Sequence, residues 1–350
     1  MQSYRLREFG VPLEHHERPT PEPEGDEVLV RVRAAGMCHS DLHIWEGGYD
    51  LGHGKRLLVK DRGVSLPLVM GHEIAGDVVA VGSRASGIRV GGTYLVYPWI
   101  GCGTCAVCAQ GDENLCGAPR SLGVFRDGGY ADHVLVPHAR YLIDLEGLDP
   151  IRAAPLACSG VTTFSAIKKA GDTITREPIV IFGAGGLGLT SLRILKALGG
   201  VGAVVVDIDE QKRAAAAAAG ALATVDGRAP DAVTRIIKAI GGAPRVTIDF
   251  VGHETTAATA FTCVPKGGKV IIVGLFGGSA PWSLPLIPLK AVTIQGSYVG
   301  NLAELKSLVE LVRRESVPGI PITCVPLDAV NESLNKLHAG SVVGRAVLVP

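Results

Sequence analysis

Four cysteines fall within fifteen residues, Cys102, Cys105, Cys108 and Cys116, in the pattern Cys-x2-Cys-x2-Cys-x7-Cys. Four thiolates at that spacing complete a tetrahedral zinc shell, and a shell closed by sulfur has no position for a substrate, so the lobe reads as structural. A pair of disulfides is the competing reading, but no apolar segment behind basic residues at the N-terminus points to export into an oxidising compartment. A thioredoxin-type redox role needs one Cys-x2-Cys pair between a strand and a helix, not three cysteines recurring every third residue in a Gly-rich loop. Further ligand types are scattered: the run Gly36-Met-Cys38-His39-Ser40-Asp41-Leu-His43, then Gly71-His72-Glu73, then Pro155-Leu-Ala-Cys158. A mixed Cys/His set of three protein ligands leaves a fourth position for water or substrate, which is how a catalytic zinc is held.

A second kind of chemistry is written into Ile179-Val-Ile-Phe-Gly183-Ala-Gly185-Gly186-Leu187-Gly188, which stands between a β-branched run and the helical segment Leu189–Leu198. In a strand-to-helix turn, Gly183 allows the tight bend, Gly185 lets the backbone approach a pyrophosphate and Gly188 lets helix and strand pack closely; the helix N-terminus offers N–H groups to the anion. Nineteen residues after Gly188 the next strand ends at Asp207. A carboxylate there accepts from both ribose hydroxyls and repels a 2′-phosphate, so NAD is expected over NADP.

These groups need elements to hold them. A chain of 350 residues with 47% hydrophobic content supports two domains with cores of their own. The first half reads as short strands, Glu27–Arg33, Gly76–Gly82 and Thr93–Tyr97, separated by Gly and Pro. From about residue 156, buried strands alternate with Ala- and Leu-rich helices, with strands expected at 178–182, 202–206, 246–250, 269–273 and 292–295. That alternation is a doubly wound parallel α/β sheet, and the alanine run 214–219 is the middle of a crossover helix. Balanced counts of 34 basic and 34 acidic residues exclude a strong field for nucleic acid or an anionic membrane, and no apolar run reaches spanning length. Reduced cysteines and the missing export signal give a cytoplasmic expectation.

With these motifs in hand, the chain resembles the zinc-dependent alcohol dehydrogenases of the medium-chain dehydrogenase/reductase superfamily over its whole length. It is most similar to their tetrameric prokaryotic NAD-dependent branch, through Cys-His-Ser-Asp, Leu66-Pro-Leu-Val-Met-Gly-His-Glu73 and Trp99 before the cysteine lobe. The resemblance implies an α/β chain made of a GroES-like β-rich catalytic domain, residues 1–155 and 293–350, and a Rossmann dinucleotide-binding domain, residues 156–292. It implies two zinc ions per subunit and assembly into a homo-oligomer, a tetramer before a dimer. Cys38, His72 and Cys158 would hold the catalytic zinc, Asp41 would orient His72, and Glu73 would approach the metal as a transient ligand. His39 and Arg345 match residues that meet the pyrophosphate, Lys212 one near the adenosine ribose, and Thr162 one that packs on the nicotinamide.

The function expected is reversible oxidation of primary or secondary alcohols, with zinc as Lewis acid and nicotinamide as hydride acceptor. Ser40 would take the released proton and pass it through the cofactor ribose to His43, whose ordinary pKa of about 6.5 suits exchange with solvent. Trp45 and Trp99 are candidate linings for a bulky or aromatic alcohol, although large aromatics more often pack in cores. A polyol or another hydroxyl compound as substrate, and a non-catalytic zinc and nucleotide scaffold, are the alternatives. The loop 49–65, with its basic Lys55–Lys60, belongs to a substrate entrance or a subunit contact. Cys263 and Cys324 match no motif and are expected to be plain core or surface thiols. Purified protein should retain zinc that resists mild chelation; a preparation stripped of all metal by brief EDTA treatment would remove the cysteine lobe from the zinc sites.

Overall fold

The computed structural model describes the chain from Met1 to Pro350 except Pro281, Ser316 and Pro318. The three strand runs expected in the first half are present as Val28–Gly36, Glu73–Val81 and Thr93–Val96, and they lie side by side in one seven-stranded sheet. Val28–Gly36 alternates buried and exposed residues at its centre, then turns continuously buried over Ala34–Gly36, where it approaches the other half of the molecule. The C-terminal strand Arg345–Val349 returns to this sheet and pairs antiparallel with the end of Val28–Gly36, Val347 opposite Gly36. The chain's last residues are thereby delivered to the strand end from which Cys38 departs.

The second half folds as six parallel strands in the order Ala223–Asp226, Ala203–Asp207, Ile179–Phe182, Val246–Asp249, Lys269–Ile272, Thr293–Gly296. In chain order that is 3-2-1-4-5-6, the Rossmann arrangement, which opens a crevice where the order reverses, beside the first strand. Val and Ile fill the central strands on both faces because helices cover both, so no alternation survives there. The alanine run is helical as expected, Glu210–Ala218, with Asp209 capping its N-terminus. The fold is therefore a GroES-like β domain joined to a Rossmann sheet.

Two features depart from the sequence reading. Ala223–Asp226 was not among the expected strands; its Ala-Thr-Val-Asp composition has no apolar run because it forms the sheet's edge. Thr293–Gly296 pairs in register with Lys269–Ile272, so the dinucleotide-binding sheet extends past the boundary at residue 292. A parallel sheet defines its domain by its last hydrogen-bonded strand, and that strand lies beyond the break drawn from sequence.

The glycine-rich turn does what its spacing demands. Gly183 sits at φ 93°, where an L side chain is strained. A Cβ on Gly188 would lie 1.9 Å from the Gly183 carbonyl oxygen, whereas a Cβ on Gly185 would meet no protein atom within 4 Å. Close packing is thus needed at Gly188, and the space beside Gly185 is open for a ligand. Gly188→Ala should destabilise the chain by about 1–3 kcal/mol through forced backbone displacement, seen as an earlier urea midpoint and weaker dinucleotide binding; unchanged values for both would mean that the turn is looser than described.

Candidate active site

Cys38 follows the strand Val28–Gly36 and caps the short helix His39–Trp45. Asp41, the third residue of that helix, reaches back to accept the Cys38 backbone N–H at 2.8 Å, a reciprocal cap of the kind that fixes a helix start. Its other oxygen lies 3.2 Å from Nδ1 of His72, and Tyr130 donates its hydroxyl to the carboxylate at 2.9 Å. One fully buried carboxylate therefore ties together the backbone of one candidate ligand, the ring of a second and a tyrosine from a distant loop.

The Cys38 and Cys158 sulfurs stand 3.7 Å apart, and the ligand atoms of Cys38, His72 and Cys158 all lie within 4.8 Å of one another in a buried cluster. A tetrahedron with Zn–S bonds near 2.3 Å places its sulfurs ~3.8 Å apart. Neither buried ring nitrogen of His72 has a hydrogen-bond partner among the described residues; Nδ1 stands 3.2 Å from the Asp41 carboxylate, which leaves Nε2 for a ligand bond. Two sulfurs at the right spacing and an orphaned imidazole nitrogen fit a zinc ion with one position left over. Trp99 packs on the His72 ring with centroids 5.1 Å apart and donates its indole N–H to Ala157, so it walls the cluster.

Glu73 lies one residue beyond His72, fully buried, its carboxylate 3.2 Å from the Arg345 guanidinium and accepting the Ser159 N–H at 3.3 Å. Burial pushes its pKa up to about 7, against the pull of Arg345. A Cβ on Gly36 would lie 2.0 Å from the Glu73 carboxylate, so only glycine leaves room for that side chain. Arg345 also donates to the Met37 carbonyl at 3.0 Å, and its Nη2 lies 3.4 Å from where a Gly186 Cβ would be. Expected from the family at the pyrophosphate, Arg345 is buried between Glu73 and the glycine-rich turn and so borders both halves of the site.

Ser40 is half-buried on the first turn of the helix His39–Trp45, and His39 is exposed. His43, one turn on, is buried rather than open to solvent, with the Tyr49 ring 4.7 Å away and the His39 ring at 5.3 Å. Burial, reinforced by His39, lowers its pKa to about 4, so the outer-end role expected from an unperturbed imidazole is altered. Tyr49 belongs to the hairpin Gly48–Asp50 with Arg56–Leu58, inside the loop whose role was open from sequence. The hairpin bonds across the crevice: the Gly278 N–H donates to Asp50 at 3.3 Å, and His53 Nε2 lies 2.8 Å from Ser279 Oγ.

At the Rossmann crevice, Asp207 accepts the N–H groups of Ala184 at 2.7 Å and Asp209 at 2.8 Å, which holds its carboxylate over the glycine-rich turn. The helix ladder starts with Leu189 bonding Gly185, leaving the N–H groups of Gly186, Leu187 and Gly188 for an anion. Lys212 is held through its backbone to Asp209, and it is the neighbouring Arg213 that reaches the Asp207 carbonyl, at 2.9 Å. Thr162 is buried on the helix that starts after Cys158. Trp45 donates to the Val11 carbonyl at 2.6 Å and meets the His338 ring edge-on, and its partly buried side chain packs against the core.

In the cysteine lobe the sulfur pairs Cys102–Cys108, Cys105–Cys108 and Cys105–Cys116 are 3.9, 3.5 and 3.8 Å apart, too far for disulfides and near the tetrahedral spacing. All eight cysteines are free thiols; Cys263 is buried and Cys324 exposed. Sequence reading missed Glu113, which anchors the lobe from within: it is buried and accepts from Gly101 at 3.0 Å and Tyr141 at 2.7 Å, with Arg140 2.9 Å away.

The chain is similar over its whole length to known alcohol dehydrogenases. Residues 24–147 match the alcohol dehydrogenase GroES-like domain and residues 186–314 the zinc-binding dehydrogenase domain. The chain is 39% identical over 351 residues, covering both chains fully, to an NAD-dependent alcohol dehydrogenase of Sulfurisphaera tokodaii. It is 33% identical to a D-arabinose 1-dehydrogenase (NADP(+)) of Saccharolobus solfataricus, covering 99% of this chain and 96% of that one. The crystal structure of the alcohol dehydrogenase from Aeropyrum pernix superposes with a TM-score of 0.90 at 31% identity, covering both chains completely. The chain belongs to the zinc-binding alcohol dehydrogenase family of the medium-chain superfamily.

Removing the Asp41 charge should weaken metal binding at the Cys38–His72–Cys158 cluster and not at the cysteine lobe. Asp41→Asn is expected to lower metal affinity at the Cys38–His72–Cys158 cluster about 10–100-fold while the cysteine lobe keeps its ion, measured by competition with a chelating dye. Release of both ions as in the parent chain would contradict the role given to Asp41.

Proposed function

We propose that the protein oxidises alcohols to aldehydes or ketones, reversibly, using NAD and two zinc ions per chain, one catalytic and one structural. The observation that carries this reading is Arg345, which lies against Glu73 of the metal cluster and beside Gly186 of the dinucleotide turn. An open metal position and a nicotinamide site in one cleft are what hydride transfer from an alcohol requires. When bound, zinc supplies a Lewis acid that acidifies the alcohol, and NAD supplies the hydride acceptor.

The chain's own residues do the rest. Cys38, His72 and Cys158 hold the catalytic ion, Asp41 keeps the His72 proton on Nδ1 so that Nε2 is free to ligate, and Glu73 stands by as a transient partner. Ser40 accepts the proton at its hydroxyl and hands it along the helix toward His43. A histidine with a pKa lowered to about 4 is neutral at working pH and so begins as an acceptor. His39 and Arg345 border the pyrophosphate, Gly183 to Gly188 cradle it, Thr162 faces the nicotinamide and Lys212 the adenosine end. Asp207 binds the ribose hydroxyls, and its charge disfavours a 2′-phosphate.

The wall that Trp99 makes over His72 favours an apolar, bulky or aromatic alcohol over a polyol. Assembly into a homo-oligomer, with a tetramer favoured, is supported by the last sheet strand, Thr293–Gly296, which pairs on one side only, and by exposed Leu284, Leu286 and Leu289 near it in the chain. No helix among the described residues is long and apolar enough to cross a membrane, and we place the protein in the cytoplasm from its free cysteines. A panel of primary, secondary, aromatic and polyhydroxy alcohols, followed by nicotinamide absorbance with NAD and with NADP, tests the reading. Aromatic or secondary alcohols with NAD should react fastest. Asp207→Gly, losing charged hydrogen bonds of about 1.5–3 kcal/mol, should raise the NAD KM about 10–100-fold. Oxidation of no alcohol, or equal use of NADP by the parent chain, would overturn it.

A further inference from the structure

On the far side of the residues that follow Cys158 lies a second cavity, of about 350 Å³, outside the site described above. Its walls come from the segment 148–160, the helix Gly186–Ala197, the end of the helix Leu302–Glu315 and residues near 320. That volume is at the lower end of small-molecule pockets, roughly 300–1,000 Å³. The lining is mainly apolar, with Leu156, Ile194 and Ile320 in it, yet Arg152, Arg193 and Arg313 also line it.

Arg313 pairs with Glu146, and Arg152 is largely exposed to solvent, 3.8 Å from Asp149. Arg193 is different: its Nε is buried with no hydrogen-bond partner among the described residues. Burial alone lowers its pKa, with no carboxylate contributing to offset it. A partly buried guanidinium beside apolar walls is normally paired, because desolvation of an uncompensated charge is unfavourable. Its planar fork matches the two oxygens of a carboxylate.

We propose that this cavity binds a monocarboxylate with an apolar body, of about the size of octanoate, its carboxylate on Arg193 and its chain along Leu156, Ile194 and Ile320. The unpartnered Nε–H of Arg193 offers one charged anchor for a carboxylate, and the apolar lining suits a hydrocarbon body. Its walls adjoin both halves of the catalytic apparatus: Ser159, which lines it, bonds Glu73, and Arg193 stands on the helix that begins at the glycine-rich turn.

Isothermal titration of the zinc-loaded, NADH-saturated protein with octanoate, and with the neutral isostere octanamide, tests the proposal without reading activity. Octanoate should bind once per chain, and octanamide about tenfold or more weaker. Arg193→Met, which keeps the apolar stem, should weaken octanoate by a similar factor with melting temperature and basal alcohol oxidation unchanged; Arg193→Lys should recover part of the loss. No binding at millimolar octanoate, equal binding of the amide, undiminished binding by the Arg193→Met chain, or displacement of octanoate by an alcohol substrate would each overturn it.

Discussion

The site depends on one fully buried carboxylate. Asp41 has no access to solvent, and a charge removed from water is tolerated only where hydrogen bonds replace hydration. It finds them in the Cys38 backbone and the Tyr130 hydroxyl, while the His72 ring stands 3.2 Å from its second oxygen. Because those partners come from a strand end, a distant loop and the start of a neighbouring strand, satisfying Asp41 places two candidate metal ligands at once. The short helix carrying Ser40 and His43 is started by the same contact, so the proposed proton route and the proposed metal share an origin.

Around that carboxylate the two domains meet through groups that also cannot be left unpaired. Arg345 is buried and lies beside Glu73, which is itself buried against Ser159 at the start of the helix following Cys158. The strand that brings Arg345 back pairs with the strand that delivers Cys38, so register in the β sheet decides whether the cation reaches the carboxylate. The hairpin at residues 48–58 adds a contact on the opposite side of the crevice, through Asp50 and His53 to Gly278 and Ser279. Its Tyr49 packs on His43, giving the inserted loop a place beside the site.

What the sequence showed and what it hid divide along distance in the chain. The cysteine lobe and the glycine-rich turn were readable because their chemistry depends on local spacing: three cysteines every third residue, and a Gly-x-Gly-x-x-Gly between a strand and a helix. Tyr130 and Glu113 were not, since each is a single residue whose meaning arises only when folding sets it against Asp41 or against Gly101 and Tyr141. His43 was recognised by type and position, but its burial beside Tyr49 depends on a hairpin with no sequence signature beyond its length. Trp45 and Trp99 look alike in sequence; folding gives the first a hydrogen bond to Val11 and the second one to Ala157 and a place against the His72 ring. The edge strand Ala223–Asp226 escaped for a related reason, because hydrogen bonding to a neighbour, not composition, defines it, whereas the strand expected at 292–295 is present as Thr293–Gly296.

The proposed chain holds two zinc ions, one in a shell closed by sulfur and one in a shell left open. X-ray absorption at the zinc edge of the fully loaded protein tests this most directly, because sulfur, nitrogen and oxygen ligands fall at separable distances. Two zinc ions per chain are expected. Averaged over a site of four cysteines and a site of two cysteines and one histidine, the spectrum should show about three sulfurs per zinc, with a light-atom shell near 2.0–2.1 Å. A single zinc bound only to four sulfurs, with no light-atom shell, would contradict this arrangement.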